Sequence, residues 1–356
     1  MQSDPPLVQA PEPAAPRIGL VVAILVLGSS VSIMSTDMYA PSLPDLVTWF
    51  ETTPTRVQLT ISLNLLAFGL AQLVHGPISD RVGRRPVMLT SLVLVAVLCV
   101  ACAFARSIDE LIVLRVLLGI AAAAEAVLGL AILKDLYDER QQVKALALLG
   151  MVIAVAPAVA PILGGYLHVA FGWQSNFHVI AAMALFAALV VWRYLPESTV
   201  PDPEALQPRR VMRGYAGLLR NGEFMLHSTM LGLALGLIFG FVTAAPFVLI
   251  EHLGVATERF GFYQASIVLT FFFGSVLASR LAGRWPGERM LGFGVVLIAL
   301  GSIALAVVVF GGFLSPARFA LAAGASAAYA AVRLGAQPAR SGSASRRTRV
   351  PRAGPG

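Results

Sequence analysis

The sequence predicts an all-α polytopic membrane protein. Of its 356 residues, 57% are hydrophobic and only 13% are charged, whereas a soluble domain has about a quarter of its residues charged. Long apolar runs alternate with short charged loops, and one charged motif occurs twice at similar places. These observations indicate a chain whose helices are surrounded by lipid and arranged in two related halves.

Nine apolar runs are long enough to cross a membrane, because a spanning helix needs about 20 apolar residues. Six of them precede a long polar stretch and three follow it. The runs lie at 18–39, 56–76, 87–105, 111–133, 145–168 and 178–195, and then near 225–250, 259–280 and 289–313.

Residues 1–16 are predicted to be a cytoplasmic N-terminal tail rather than a cleaved signal. They are rich in proline and contain Asp4 and Glu12 before any basic residue, whereas a signal peptide begins with positive charge. The first apolar run is also too long for a signal. We therefore expect it to remain as the first helix of an N-terminal half, 17–195.

Basic residues are concentrated in alternate loops, which fixes the expected orientation, since cytoplasmic loops carry the excess of Lys and Arg. The loops between them contain only Arg56, Arg106 and Arg259. The basic loops contain Arg81, Arg84, Arg85, Lys134, Arg140, Lys144, Arg193, Arg209, Arg210, Arg213, Arg220, Arg280, Arg284 and Arg289. This pattern predicts a multi-pass protein of the cell inner (cytoplasmic) membrane with a cytoplasmic N-terminus.

A cytoplasmic linker, 196–223, is predicted between the two halves, because "LPESTVPDPEALQPRR" contains four prolines and ends in basic residues. The motif "SDRVGRRP" at 79–86 is matched by "SRLAGRWP" at 279–286, with Ser, Gly, Arg and Pro in common. Each copy connects the second helix of its half to the third. An internal repeat follows, with 224–313 as a partial second half.

The first copy of the motif is part of a complete family signature. It resembles the pattern Gly-x-x-x-Asp-Arg-x-Gly-Arg-Arg of the major facilitator superfamily. The matching residues, which we call the latch loop, are Gly76, Asp80, Arg81, Gly83, Arg84 and Arg85. The resemblance implies two six-helix halves, the second incomplete here, and a loop that braces one conformation of an alternating-access cycle.

The residue types of the latch loop suit a tight, charged turn between two closely packed helices. Gly76 would allow two helix backbones to approach closely, and Gly83 would permit a tight turn. Asp80 can accept hydrogen bonds from arginine side chains or from exposed amides at a helix N-terminus. A plain positive-inside loop would explain the arginines but neither Asp80 nor the glycine spacing.

One further motif resembles the Bcr/CflA drug-resistance branch of the superfamily, and another resembles an antiporter motif. In "STDMYAPSLPDL" the matching residues are Asp37, Met38, Tyr39, Pro41, Leu43 and Pro44. In the fifth run, "APAVAPILGG" resembles the antiporter motif through Ala156, Ala160, Pro161, Gly164 and Gly165, with alanines in place of two glycines. The resemblance implies export. A bent helix with glycines for close packing, as in any membrane protein, is the alternative.

Three ionisable residues inside apolar runs are the candidate proton-coupling or substrate residues: Asp37, Arg115 and Glu125. Each costs about 3 kcal/mol at mid-membrane, so such residues usually have a function. Arg115 matches an Arg-x-x-x-Gly pattern of the superfamily. Asp37 could instead cap an interfacial turn, and Glu125 requires a cavity or an arginine partner.

The predicted function is proton-coupled efflux of small drug-like molecules. The chain has no phosphate-binding Gly-x-x-x-x-Gly-Lys-Ser/Thr loop, so a gradient must supply the energy. An enzyme is disfavoured because the five histidines have no metal-binding spacing and no nucleophile motif occurs. The expected partners are the lipid bilayer, protons and a small-molecule substrate. No cofactor and no nucleic acid are expected, and the protein is predicted to be a monomer. The alternative is uptake or export of a small polar metabolite.

The composition changes abruptly in the segment 314–356, which is rich in Ala, Arg, Gly, Ser and Pro. Helices ten to twelve of the family are therefore expected to be missing. A weak tenth helix is predicted at 318–335, followed by a tail that cannot bury enough apolar area to fold. An inactive, truncated or frame-shifted transporter is a second alternative for the function.

Overall fold

The computed structural model describes residues 18–281, together with 289, 296, 299–304, 306–307 and 315–318. The chain forms two compact units, Met1–Ala265 and Ser266–Gly356. The described elements are all helical, which confirms the predicted fold class. The first unit contains the six runs of the first half, the predicted linker, the seventh run and the start of the eighth.

The six predicted spans of the first half are helices that are long and apolar enough to cross a membrane. They are α1 (Ile18–Asp37), which a 3₁₀ turn (Ala40–Ser42) connects to a short α2 (Leu43–Trp49), then α3 (Pro54–Val82), α4 (Arg84–Ala103), α5 (Ile108–Leu136), α6 (Glu139–Phe171) and α7 (Gln174–Tyr194). Several helices extend beyond the apolar runs. At 1.5 Å per residue, α6 is about 50 Å long, which exceeds the roughly 30 Å hydrocarbon layer.

Polar side chains begin three of these helices. Thr53, Ser107 and Asp138 each accept a hydrogen bond from the backbone N–H three residues later. Such caps satisfy amides that have no partner within the helix. The helices therefore start outside the apolar runs, at residues that hydropathy alone does not mark.

Close backbone contact joins α3 to α5. A Cβ added to Gly119 of α5 would overlap the backbone carbonyl oxygen of Asn64 in α3. The Nδ2 atom of Asn64 donates a hydrogen bond of 2.6 Å to the carbonyl oxygen of Arg115 in α5. The outward faces of the helices carry exposed apolar side chains such as Leu66, Val97 and Phe186, as expected for a surface in contact with lipid.

The predicted linker contains a helix that the sequence analysis did not identify, α8 (Pro208–Arg220). It is followed by α9 (Gly222–Pro246), which continues into a π-helical turn (Phe247–His252), and then by α10 (Thr257–Leu281). The predicted runs near 225–250 and 259–280 are thus confirmed as helices.

Parts of the sequence-based predictions lie outside the described residues. These are the tail 1–16, the second-copy residues Gly283, Arg284 and Pro286, the weak helix 318–335 and nearly all of 314–356. Within the predicted span 289–313, the described positions 289, 296, 299–304 and 306–307 are helical.

Candidate functional site

The family signature at the end of α1 forms a buried corner. Asp37 is the last residue of α1, and Met38 and Tyr39 follow it with no exposed surface. Pro41 lies in the 3₁₀ turn, and the next helix, α2, contains the other two signature residues, Leu43 and Pro44. The Tyr39 hydroxyl lies 3.2 Å from the hydroxyl of Thr60 in α3. The corner therefore packs against the second span.

Arg115 lies near the start of α5 and is fully buried. Its guanidinium donates hydrogen bonds to the carbonyl oxygens of Ser35, at 2.6 Å, and Thr60, at 3.3 Å. It also lies 4.9 Å from the ring centre of Tyr39, which is cation–π distance. Its Nη2 atom has no hydrogen-bond partner among the described atoms. Arg115 thus links α1, α3 and α5.

Asp37 belongs to the same cluster. Asp37 is only 7% exposed, and it lies two residues after Ser35, whose carbonyl oxygen accepts a hydrogen bond from Arg115. It does not cap the 3₁₀ turn, whose first residue is preceded by Tyr39 without a side-chain cap. An acid and an arginine are therefore enclosed together where α1 ends.

Glu125 lies on the same helix as Arg115 but ten residues later, about 15 Å along the axis. Its side chain is 1% exposed, and neither carboxylate oxygen has a hydrogen-bond partner among the described atoms. The nearby Ser91 hydroxyl donates to the carbonyl oxygen of Ala121 instead, at 2.7 Å. Glu125 and Arg115 are thus separate sites.

The expected arginine partner of Glu125 is not found among the described residues. The carboxylate points at Gly28 of α1, where an added Cβ would overlap it, and Met88 of α4 meets the same space. Sequence alone placed this acid in the apolar region. It could not show that the side chain turns into the interior of the helix bundle, between α1 and α4.

The antiporter motif on α6 makes close backbone contacts on two sides. A Cβ added to Gly164 would overlap the carbonyl oxygen of Met38, and one added to Gly165 would come within 2.6 Å of the carbonyl oxygen of Thr257. In the same region, a Cβ added to Gly261 of α10 would overlap the backbone of Ile162 and Pro161. Ala156 and Ala160 are buried. The expected close packing at the two glycines is confirmed.

The latch loop turns sharply between α3 and α4. Gly83 has φ of +110°, a backbone conformation that glycine adopts far more readily than other residues, so the predicted tight turn is confirmed. The guanidinium of Arg84 lies 2.7 Å from the Asp80 carboxylate and 3.1 Å from that of Asp135. Asp80 therefore accepts from an arginine side chain, the first of its two expected roles.

The second expected role of Asp80, accepting hydrogen bonds from amides at a helix N-terminus, is taken by Glu197, which the sequence analysis missed. Its carboxylate accepts hydrogen bonds from the backbone N–H groups of Arg84, at 2.8 Å, and Arg85, at 3.3 Å. Farther along the linker, the Asp202 N–H donates to the Asp80 carbonyl oxygen at 2.9 Å. An acid directly after the sixth span, among the basic residues of that side, was the available signal.

The other residues of the latch loop differ in the contacts they make. Arg85 donates through Nη2 to the carbonyl oxygen of Trp192, at 2.5 Å, whereas Arg81 is exposed. The close approach expected at Gly76 is wrong for the described part of the chain, where an added Cβ meets only the Val127 side chain, at 4.0 Å. That contact is ordinary van der Waals distance.

The described residues contain no group of three or more His, Cys, Asp or Glu side chains that could hold a metal ion. The site is instead made of buried ionisable groups, close glycine contacts between helices and a charged loop at one end. A buried carboxyl group in such an arrangement can bind a proton.

Comparisons with known proteins agree with these features. A family model described as Major Facilitator Superfamily matches residues 25–346. A bicyclomycin resistance protein homolog of Haemophilus influenzae is 31% identical over 273 residues, covering 76% of this chain and 69% of the relative. A chloramphenicol resistance protein of Pseudomonas aeruginosa is 28% identical, covering 82% and 69%. The multidrug transporter MdfA of Edwardsiella piscicida is 30% identical, covering 80% and 69%.

Solved structures share the fold at low sequence identity. A bacterial homolog of the human lysosomal transporter Spinster, inward-facing and occupied, has a TM-score of 0.70 at 17% identity, covering 88% of this chain and 73% of that one. The xylose transporter XylE from E. coli, partially occluded and inward open, has a TM-score of 0.71 at 16% identity, covering 90% and 85%.

Proposed function

The chain belongs to the major facilitator superfamily, and we propose that it exports small drug-like molecules across the cell inner membrane in exchange for protons. The family consists of multi-pass membrane transporters of small substrates rather than enzymes. Relatives named for bicyclomycin resistance, chloramphenicol resistance and multidrug transport align with 76–82% of the chain, which supports drugs as the substrate class.

One observation carries the proton part of the proposal: Glu125 is buried, and neither of its carboxylate oxygens has a hydrogen-bond partner among the described atoms. An ionised carboxylate without a partner costs several kcal/mol in such a place. The protonated form of Glu125 therefore fits this site. Release of the proton requires a conformation in which water or a positive charge reaches the carboxyl group. A proton bound in one conformation and released in another is coupled to the cycle.

The cluster at the end of α1 is proposed to respond to substrate. Asp37 is enclosed with Arg115, whose guanidinium binds carbonyl oxygens of two other spans. We assign Arg115 to positioning this corner. A cationic or polar drug that draws Asp37 away from Arg115 would loosen the contact between α1, α3 and α5.

The latch loop and the α6 glycines are proposed to serve the conformational change. Asp80, Arg84 and Glu197 link the second and third spans to the segment after the sixth, so these elements move together while the links persist. Gly164 and Gly165 keep α6 in backbone contact with the end of α1 and the start of α10. We place the latch loop and the N-terminus in the cytoplasm, and the protein acts as a monomer.

Drug efflux from cells tests the proposal. In a bacterium lacking its main efflux pumps, the full chain should lower accumulation of chloramphenicol and of ethidium, and a protonophore should abolish the difference. Glu125→Gln, present in the membrane at equal level, should behave like the empty vector. Efflux that resists the protonophore, or that Glu125→Gln leaves unchanged, would contradict proton exchange through this residue.

A further inference from the structure

The arginines and the larger apolar residues of α8 lie on opposite faces of the helix. Its sequence, PRRVMRGYAGLLR, contains four arginines and no acid. At 100° per residue, the arginines fall within an arc of about 100° and the larger apolar side chains within about 120° on the other side. The arginines are Arg209, Arg210, Arg213 and Arg220, and the apolar residues are Val211, Met212, Tyr215, Leu218 and Leu219.

The described part of the chain leaves most of the apolar face of α8 uncovered. No residue of the helix is buried, and Met212 and Leu219 are 71% and 64% exposed. Val211 and Tyr215 are half-buried. An exposed face of this kind, next to spanning helices, needs an apolar partner.

A contact with α3 ties α8 to the end of a spanning helix. The Tyr215 hydroxyl donates a hydrogen bond to the carbonyl oxygen of Leu73. Leu73 lies 19 residues, or about 29 Å, after Pro54, the first residue of α3, and this length is comparable to the roughly 30 Å hydrocarbon layer. The contact therefore favours a position of α8 near the membrane surface.

Three arginines of α8 are available for a partner. Arg210 pairs with Asp202 at 2.6 Å, and the backbone N–H of Glu204 together with this guanidinium lowers the pKa of Asp202. Among the described residues, no carboxylate lies within ion-pair distance of the exposed Arg209, Arg213 or Arg220. Their guanidinium groups match the phosphates of anionic headgroups in geometry and charge.

We propose that α8 is an interfacial helix that binds anionic lipids. Met212, Leu218 and Leu219 enter the acyl region, and Arg209, Arg213 and Arg220 bind headgroup phosphates. The occupant of the apolar face is thus the lipid surface itself. The inference rests on α8 alone and holds whatever the transported substrate is.

Depth measurements on the full chain test the apolar half of the proposal. A nitroxide attached at Leu219→Cys reports the apolar face, and one at Gly217→Cys reports the opposite face, while the unsubstituted protein, whose Cys99 and Cys102 are buried, serves as the labelling blank. In vesicles of phosphatidylcholine and phosphatidylglycerol at 7:3, collisions with oxygen should exceed those with a water-soluble nickel complex at 219 and fall below them at 217. Equal, water-like values at both positions would overturn the proposal.

Charge substitutions test the anionic-lipid half. Each arginine near an anionic surface favours the docked state about fivefold, and three together about a hundredfold. The triple variant Arg209→Gln, Arg213→Gln and Arg220→Gln should therefore bring the 219 label to its behaviour in pure phosphatidylcholine vesicles, where it is more accessible to nickel. The control Arg140→Gln with Lys144→Gln removes charge elsewhere and should change nothing. Identical depth in both lipids, or no effect of the triple variant, would refute recognition of anionic lipid.

Discussion

The carboxylate of Glu197 accepts a hydrogen bond of 2.8 Å from the backbone N–H of Arg84. The two residues are 113 positions apart, and the contact joins the segment after α7 to the first turn of α4. Because amides at a helix N-terminus favour a negative partner, Glu197 acts as a cap supplied from a distant part of the chain. A Cβ on Gly83 would meet the same carboxylate at 2.7 Å, so the glycine also makes room for the cap.

Glu197→Ala is expected to slow transport several-fold while drug affinity stays within about twofold. The change leaves the α4 amides without their carboxylate, and caps contribute about 1 kcal/mol, enough to shift a conformational equilibrium about fivefold. Initial efflux rates and equilibrium drug binding measure the two effects. Glu204→Ala, at an exposed acid of the same linker, is the control and should behave like the unsubstituted protein. Lost drug binding with normal turnover would contradict this role.

Asp80→Asn is expected to slow transport with little loss of stability. The Asp80 side chain is 47% exposed in its pair with Arg84, and such pairs contribute at most about 1 kcal/mol. Its effect should therefore appear in the cycle rather than in the melting temperature. A variant that no longer binds drug, yet turns over normally for each bound molecule, would refute the brace.

Asp37→Asn is expected to change drug selectivity. The change removes the negative charge at the end of α1 and leaves Arg115 with its carbonyl partners, so cationic drugs should lose more efflux than neutral ones. Resistance to ethidium and to chloramphenicol in the same strain measures the difference. Equal losses for both drugs, or none, would argue against a substrate role.

Gly164→Ala is expected to destabilise the protein by about 1–3 kcal/mol, the usual cost of overpacking. The added methyl group would overlap a backbone oxygen of Met38, which cannot rotate away. Gly150→Ala on the same helix, where no described atom lies within 4 Å of an added Cβ, is the matched control and should be neutral or slightly stabilising. Thermal unfolding in detergent compares them, and equal melting temperatures would show that the contact is not tight.

The sequence predicted the spans well because length and hydropathy decide them: α4 and α7 lie within four residues of the expected runs at each end. It missed α8, whose apolar residues are too few for a span and which follows three prolines. The separation of its arginines from its leucines was nevertheless readable. Long-range partners were not: nothing local links Glu197 to Arg84, or points Glu125 at Gly28, because these contacts depend on how the helices pack.

Proton-driven drug movement in proteoliposomes tests the central claim most directly. With the full chain reconstituted and an imposed pH gradient, acid inside, chloramphenicol should accumulate inside while protons leave, and Glu125→Gln should abolish both movements although the variant remains reconstituted at the same level. Accumulation that does not depend on the gradient, or that proceeds at the full rate in Glu125→Gln, would contradict proton exchange through this buried carboxyl group.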